Sequence, residues 1–302
     1  LASKKARGGR LRLWVQAASA ALSNGYLVGF ARGNIFKGRS KAVCLPGLNC
    51  YSCPGAIGAC PIGSLQAVLG HRSYQFAFYV LGFLTVVGAL GGRFVCGWLC
   101  PFGLIQDLLF KIPFFKKLRK LPGDRFLKYL KYVMLVVLVF LLPLYAVDFL
   151  GQGSPWFCKY VCPAGTLEGG LPLVAANSGL QAAVGWLFAW KNAILIAIIV
   201  LSLLVYRPFC RYLCPLGGIY GLFNPISLYR IRLDPAACTQ CGACQKACKL
   251  DIDIFRHPGS PDCIRCGACT RACPHGAITM GITSPCKDGQ NSRHCKKGDR
   301  LA

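Results

Sequence analysis

The sequence predicts an α-helical membrane protein that ends in a small α+β domain. Three observations carry that class: the composition, a series of long uncharged apolar stretches, and a dense cysteine pattern whose spacing changes near residue 234. Of 302 residues, 54% are hydrophobic and only 15% charged. Soluble chains carry about 25% charged residues and disordered ones are poor in apolar residues, so both classes are excluded. Twenty cysteines would suit a disulfide scaffold, but such scaffolds are far shorter.

The net charge of +25 is informative through its placement. Residues 1–92 hold ten Lys/Arg and no acid, and residues 93–150 hold nine against three. Residues 151–206 hold two against one, and residues 207–302 fourteen against six. Basic residues thus crowd some connections and avoid another, as they do when Lys and Arg stay in cytoplasmic loops. A nucleic-acid face would be a continuous basic stripe. Lipid is the expected surroundings, and no nucleic-acid partner is expected.

Four stretches read as transmembrane helices of about 20 residues each. Residues 13–31 are uncharged but include Gln16 and Asn24. The basic run KKARGGRLR before them resembles the start of a signal peptide, but no small-residue cleavage pattern closes it, so an uncleaved span is expected. Residues 74–92 are uncharged, residues 132–150 are very apolar with a kink expected at Pro143, and residues 184–206 contain Lys191. The basic connection 93–131 belongs in the cytoplasm and the nearly uncharged 151–183 outside. A multi-pass protein of the inner (cytoplasmic) membrane, with both termini cytoplasmic, follows. The loop 32–73, with Arg32, Lys37, Arg39, Lys41 and Arg72, is basic for an outer loop.

A short phrase recurs four times: Cys60-Pro61-Ile62-Gly63, Cys100-Pro101-Phe102-Gly103, Cys162-Pro163-Ala164-Gly165 and Cys214-Pro215-Leu216-Gly217. Cys96, Cys158 and Cys210 precede the last three copies by four residues, and Cys53 is the nearest upstream candidate for the first. The second and fourth copies match further, as RFVCGWLCPFG and RPFCRYLCPLG. Pro favours the first position of a helix. The Cys before it then sits where free N–H groups and the positive dipole end stabilise a thiolate. These are short half-helices that build a site inside a membrane domain.

With both termini inside, Cys96, Cys100, Cys210 and Cys214 converge on the cytoplasmic side. Four thiolates are the ligand count of an iron–sulfur cluster, and unliganded or redox-active thiols are the rival reading. On the outer side, a cluster would take Cys53, Cys60, Cys158 and Cys162, with Cys44 and Cys50 bridged or free. A local set of Cys44, Cys50, Cys53 and Cys60 is the other arrangement.

Residues 238–248 read CTQCGACQKAC and residues 263–274 read CIRCGACTRACP. This is C-x2-C-x2-C-x3-C twice, the spacing of a bacterial two-cluster ferredoxin in which the fourth Cys serves the other cluster. One [4Fe–4S] cluster takes Cys238, Cys241, Cys244 and Cys273, and the second takes Cys263, Cys266, Cys269 and Cys248. Gly242 and Gly267 permit the tight turns. Cys286 and Cys295, in a polar tail, read as spare thiols. The expected organisation is a membrane domain over 1–233, a two-cluster ferredoxin-like domain over 234–282 and the tail over 283–302.

The candidate spans contain no His, so no bis-histidine haem is expected, and no C-x-x-C-H would attach haem c. No G-x-G-x-x-G opens a helix after a strand, so NAD is not expected. The expected cofactors are two [4Fe–4S] clusters in the ferredoxin-like domain, with a third and a fourth Fe–S cluster in the membrane domain.

Four spans, cytoplasmic C-x3-C-P motifs after the second and fourth, and a C-terminal double cubane resemble the NapH-type membrane ferredoxins, which are related to the membrane part of NosR. The resemblance runs over roughly residues 10–280. It implies a membrane electron-transfer subunit beside a quinol pool and an extracytoplasmic reductase. Cys96, Cys100, Cys210, Cys214 and the eight ferredoxin cysteines are its family residues. The outer cysteines look more like those of a longer branch found beside diverse redox partners. The expected function is therefore a relay of electrons between cytoplasmic clusters and the membrane or its far side, in concert with other redox subunits or an extracytoplasmic redox protein. A quinol dehydrogenase subunit, which would bind quinone, and a thiol- or metal-handling assembly factor are the alternatives.

Overall fold

The computed structural model describes residues 2–70, 77–113, 117–146 and 152–282. The tail with Cys286 and Cys295, and Arg72 in the first connection, lie outside the described residues.

Two helices, Asp124–Tyr145 and Trp186–Leu204, are long and apolar enough to cross a membrane. Only 22% and 17% of their apolar windows are buried within the protein. A helix this apolar inside a soluble core would be covered on nearly all sides. A third apolar helix, Ala77–Gly91, has 15 residues, about 22 Å at the helical rise, against a hydrocarbon core of about 30 Å. The first expected span is divided. One helix runs Ala2–Ser23 and takes in the basic run, and a second runs Leu27–Arg32. The break falls at Asn24-Gly25-Tyr26, where the Asn24 amide donates back to the Ala20 carbonyl at 3.1 Å and competes with the helix. Asp124–Tyr145 passes through a π-helical stretch, Met134–Leu141, just ahead of Pro143. Pro cannot donate to the ladder, and the widened turns absorb the misfit. Among the described residues, two of the four expected spans thus meet the length and composition of a membrane helix.

The repeated phrase is a repeated structure. Each Cys-Pro starts a short helix: Pro61–Gly70, Pro101–Lys111, a helix over 163–176, and Pro215–Phe223. Cys100 and Cys214 are extended N-caps with Pro at the first helical turn, as the sequence predicts. A five-residue helix carries the earlier Cys in three copies: Phe94–Trp98, Trp156–Tyr160 and Pro208–Tyr212. The N–H groups of Cys100, Cys162 and Cys214 each donate five residues back, to Val95, Phe157 and Phe209, at 3.2, 2.9 and 2.9 Å. The first copy enters differently, from a bridge between Cys44 and Ala59. The half-helices meet in one core with Ile62, Phe102, Phe209, Leu216 and Tyr220.

The α+β part is a two-stranded antiparallel sheet, β1 (Tyr229–Leu233) and β2 (Ile278–Ile282), with Tyr229 opposite Ile282 and Leu233 opposite Ile278. β1 lies ahead of the composition shift at 234, and Ile231 is its buried residue. The helices Ala243–Ala247 and Ala268–Ala272 follow Gly242 and Gly267, which hold φ of 71° and 69°. That left-handed conformation is the one glycine adopts at little cost.

The second ferredoxin motif is bound tightly to the membrane part. Asn224 donates to the carbonyls of Ser260 and Cys263 at 2.9 and 2.8 Å. Trp98 donates to the Arg265 carbonyl at 3.0 Å, and Arg93 to the Pro261 carbonyl at 3.1 Å. The Arg265 side chain returns to the Asn224 carbonyl at 2.7 Å. Arg265 itself holds φ of 52°, a conformation costing about 1–2 kcal/mol for a residue with a side chain. Its buried contacts offset that cost.

Candidate metal centres

The two ferredoxin motifs line two hollows. One is walled by Cys238, Cys241, Cys244 and Cys273. The other is walled by Cys248, Cys263, Cys266 and Cys269, with Ile231, Leu250, Ile252, Ile254 and Ile264 around them. These are the two fourfold sets read from the spacing, with the fourth Cys exchanged between motifs. The hollows differ in exposure. Cys241 is exposed, and the Ala243 N–H beside it lowers its thiol pKa. Burial pushes Cys263 and Cys269 up to about 12. A buried thiol remains protonated unless a positive centre takes up the thiolate.

In the membrane part, Cys96, Cys100, Cys210 and Cys214 are buried, and each lies within electrostatic reach of the other three. A second group has the same mutual arrangement, but its members are Cys50, Cys60, Cys158 and Cys162. Cys53, which the sequence places in this set, turns its thiol to the Asn24 amide oxygen at 3.4 Å. Cys44, buried, donates its backbone N–H to the Tyr79 hydroxyl at 3.3 Å. This grouping differs from both expected outer arrangements, taking Cys50 in place of Cys53 in the first and Cys158 and Cys162 in place of Cys44 and Cys53 in the second. Cys50 stands ten residues before Cys60, a spacing unlike that of the other copies, and a loop rather than a helix brings it in.

In the Cys96 set the glycine that closes each Cys-Pro-x-Gly phrase is crowded by the arginine of the facing motif and by a cysteine carbonyl of its own motif. A Cβ on Gly103 would meet Arg207 Nη1 and the Cys96 carbonyl, both at 3.2 Å. A Cβ on Gly217 would meet Arg93 Nη2 at 3.0 Å and the Cys210 carbonyl at 3.2 Å. In the second set, Gly63 faces the Cys158 thiol and Gly165 the Cys50 thiol.

Further residues complete the sites. Three residues before Cys96 and Cys210 stand Arg93 and Arg207, both fully buried. Each crosses to the other motif: Arg93 donates to the Cys210 carbonyl at 2.6 Å, and Arg207 to the Cys96 carbonyl. Asp107 binds Arg207 through two bonds of 2.7 Å and Arg12 at 2.6 Å. Burial pushes the Asp107 carboxyl up, but the guanidinium of Arg207 overrides it and holds the group below the usual carboxylate range. Six residues after the Pro-linked Cys stand Gln66, Gln106, Glu168 and Tyr220. Gln106 donates to the Cys210 thiol at 3.1 Å and Gln66 to the Cys158 thiol at 3.2 Å. Glu168 accepts from the Cys50 N–H at 2.8 Å. Tyr220 donates to the Pro46 carbonyl at 3.1 Å and lies within reach of Cys60, Cys96 and Cys100. The loop between Cys44 and Cys50 thus joins the two sets, and Gly47 packs against the Cys100 backbone. The Arg heading both matched strings is a visible signal of the clamp, whereas the sixth position carries three residue types, Gln, Glu and Tyr, and so no shared signal.

This donor chemistry fits thiolate-ligated Fe–S clusters. Among the described residues, no three His, Cys, Asp or Glu side chains converge on one point that would hold a single ion. Four thiols wall each of the two ferredoxin hollows. N–H donors aimed at thiols and cysteine carbonyls suit an anionic cluster, whose potential responds to such bonds and to burial.

The comparisons with known proteins agree. A family described as 4Fe-4S binding domain matches residues 74–122, 131–171 and 185–233, and a second of that description matches 261–279. An uncharacterized protein of Methanocaldococcus jannaschii is 31% identical over 57% of this chain and 64% of its own. The methylamine utilization ferredoxin-type protein MauN of Methylorubrum extorquens is 33% identical over 63% of this chain and 55% of its own. The ferredoxin-type protein NapH of Haemophilus influenzae is 28% identical, over 58% and 56%. The matched segment spans about half to two thirds of the length of these relatives. No solved structure matches. With two cubane-spaced motifs, four Cys-Pro half-helices and relatives named NapH, NosR and MauN, the chain belongs to the NapH/NosR-type 4Fe–4S ferredoxin family.

Proposed function

We propose that the chain is a membrane electron-transfer subunit that relays electrons between its ferredoxin-like end and the far part of its membrane domain. Four Cys sets hold Fe–S clusters in this reading: the two ferredoxin sets, the Cys96 set and the Cys50 set. The clusters supply one-electron chemistry, and the protein supplies their spacing and surroundings. One observation carries the reading: the four sets form an unbroken series. The second ferredoxin hollow borders the Cys96 set, because Gly97 packs directly on the Ile264 carbonyl. The Cys96 set borders the Cys50 set through Tyr220 and the loop at Pro46. A hydrocarbon core of about 30 Å needs such intermediate stations.

In this reading residues 1–233 form the membrane domain, with β1 lent to the ferredoxin fold, residues 234–282 the two-cluster domain and 283–302 a tail. The protein sits in the inner membrane with both termini cytoplasmic. The exposed first ferredoxin set is the docking point for a cytoplasmic redox partner, and a second redox protein or quinone meets the far end. The outward apolar surface of Asp124–Tyr145 and Trp186–Leu204 supports the membrane setting.

The test is electron passage across vesicles. The loaded protein, in lipid vesicles with a trapped one-electron acceptor, should pass electrons from an impermeant reductant outside. Cys100→Ser should abolish that passage. Passage no faster than in empty vesicles contradicts the relay.

A further inference from the structure

The Cys96 and Cys50 sets are built alike but charged differently. In each, a glutamine six residues after a Pro-linked Cys donates to a thiol of the facing motif, at 3.1 and 3.2 Å. That contact does not distinguish them. The groups on the cysteine backbones do. In the Cys96 set, buried guanidinium groups bind the carbonyls of both Cys96 and Cys210. In the Cys50 set, Lys191 binds the Cys158 carbonyl at 3.3 Å, and the group on Cys50 is the carboxyl of Glu168. Protonated or not, Glu168 supplies no positive charge. Lys41 stands one step back, on the Tyr51 carbonyl.

The counter-ions do not cancel the difference. Asp107 is shared between Arg207 and Arg12. Asp262 is shared among Arg93, Lys131 and Lys128. The surroundings of the Cys96 set therefore hold more cations than anions, with both guanidinium groups out of water. Adding an electron adds negative charge, and a nearby cation in a low-dielectric interior favours that state.

We propose that the Cys96 set holds an electron more tightly than the Cys50 set, and that Arg93 and Arg207 are the positioning residues that establish this order. The inference rests on the proposed relay, in which both sets hold Fe–S clusters. Its consequence is a bias in direction. An electron delivered at the Cys50 set by a reduced one-electron carrier relaxes to the Cys96 set. The carrier is then oxidised by one electron and the Cys96 set reduced by one.

The test is a redox titration of the purified full chain followed by electron paramagnetic resonance, with iron counted on the same samples. The membrane-domain signal lost in Cys50→Ser belongs to the Cys50 set, and the one that remains belongs to the Cys96 set. The Cys96 signal should have the higher of the two membrane-domain midpoints in the unaltered protein. Each substitution should shift the electron partition toward the Cys50 set by on the order of tenfold, the effect of one close buried charge on an ionising neighbour. Arg93→Lys and Arg207→Lys should restore most of it. If the glutamine variants fail to fold, the order of the two midpoints in the unaltered protein still decides. A full iron count with the Cys50 set higher, or with arginine-insensitive midpoints, overturns the inference alone. An iron count confined to the ferredoxin sets removes the relay as well.

Discussion

Arg93 reaches across the Cys96 set to donate to the Cys210 carbonyl at 2.6 Å, and the bond runs where a side chain on Gly217 would stand. Arg207 and Gly103 repeat the arrangement from the opposite motif. Gly103→Ala and Gly217→Ala should each cost about 1–3 kcal/mol through overpacking. Iron content and thermal unfolding of the two variants check this, and unchanged values for both would show that the close approach carries no energy.

Cys50 and Cys53 are three residues apart, yet Cys50 lies within electrostatic reach of Cys60, Cys158 and Cys162 while the Cys53 thiol turns to the Asn24 amide oxygen. Cys50→Ser should lose about 4 Fe per chain, one cubane's worth, and Cys53→Ser should keep them. The reverse pattern in an iron assay would return the site to the set read from the sequence.

Asp107 joins Arg207 and Arg12 with 1% of its side chain exposed. Because its folded pKa lies below the unfolded value, the stability it contributes is present above the ordinary carboxylate pKa of about 4. That stability is lost as pH falls through the lowered folded pKa. Asp107→Asn should cost about 3–5 kcal/mol, since it leaves buried guanidinium charge uncompensated. Denaturation at a series of pH values should show the unaltered protein losing stability in acid more steeply than Asp107→Asn.

Gly97 lies against the Ile264 carbonyl, where a Cβ would collide with backbone. Gly97→Val should loosen the second ferredoxin motif from the membrane part while leaving its cysteines intact. Limited proteolysis should then cut the 224–234 connection faster, and the ferredoxin iron should remain. Unchanged protection would mean that Asn224, Trp98 and Arg265 hold the interface without that fit.

The parts legible in the sequence are those fixed by local spacing. The ferredoxin sets follow from C-x2-C-x2-C-x3-C because each motif wraps its own hollow and lends one Cys. Pro61, Pro101 and Pro215 mark helix starts because Pro suits the first helical turn. What the sequence hides depends on the path of irregular chain. Cys50 reaches its partners by a loop, with no periodicity to reveal it. The first span divides at Asn24, where a side-chain bond outweighs a long uncharged stretch. The charge clamp was half visible: Arg93 and Arg207 head matching strings, but only folding shows that each serves the other motif.

Iron counting on the purified chain, with acid-labile sulfide and electron paramagnetic resonance, bears most directly on the relay. Four [4Fe–4S] sites predict about 16 Fe per chain, with two signals beyond those of the ferredoxin sets. A count of about 8 Fe, with Cys96, Cys100, Cys210 and Cys214 free to react with a thiol reagent, would contradict it.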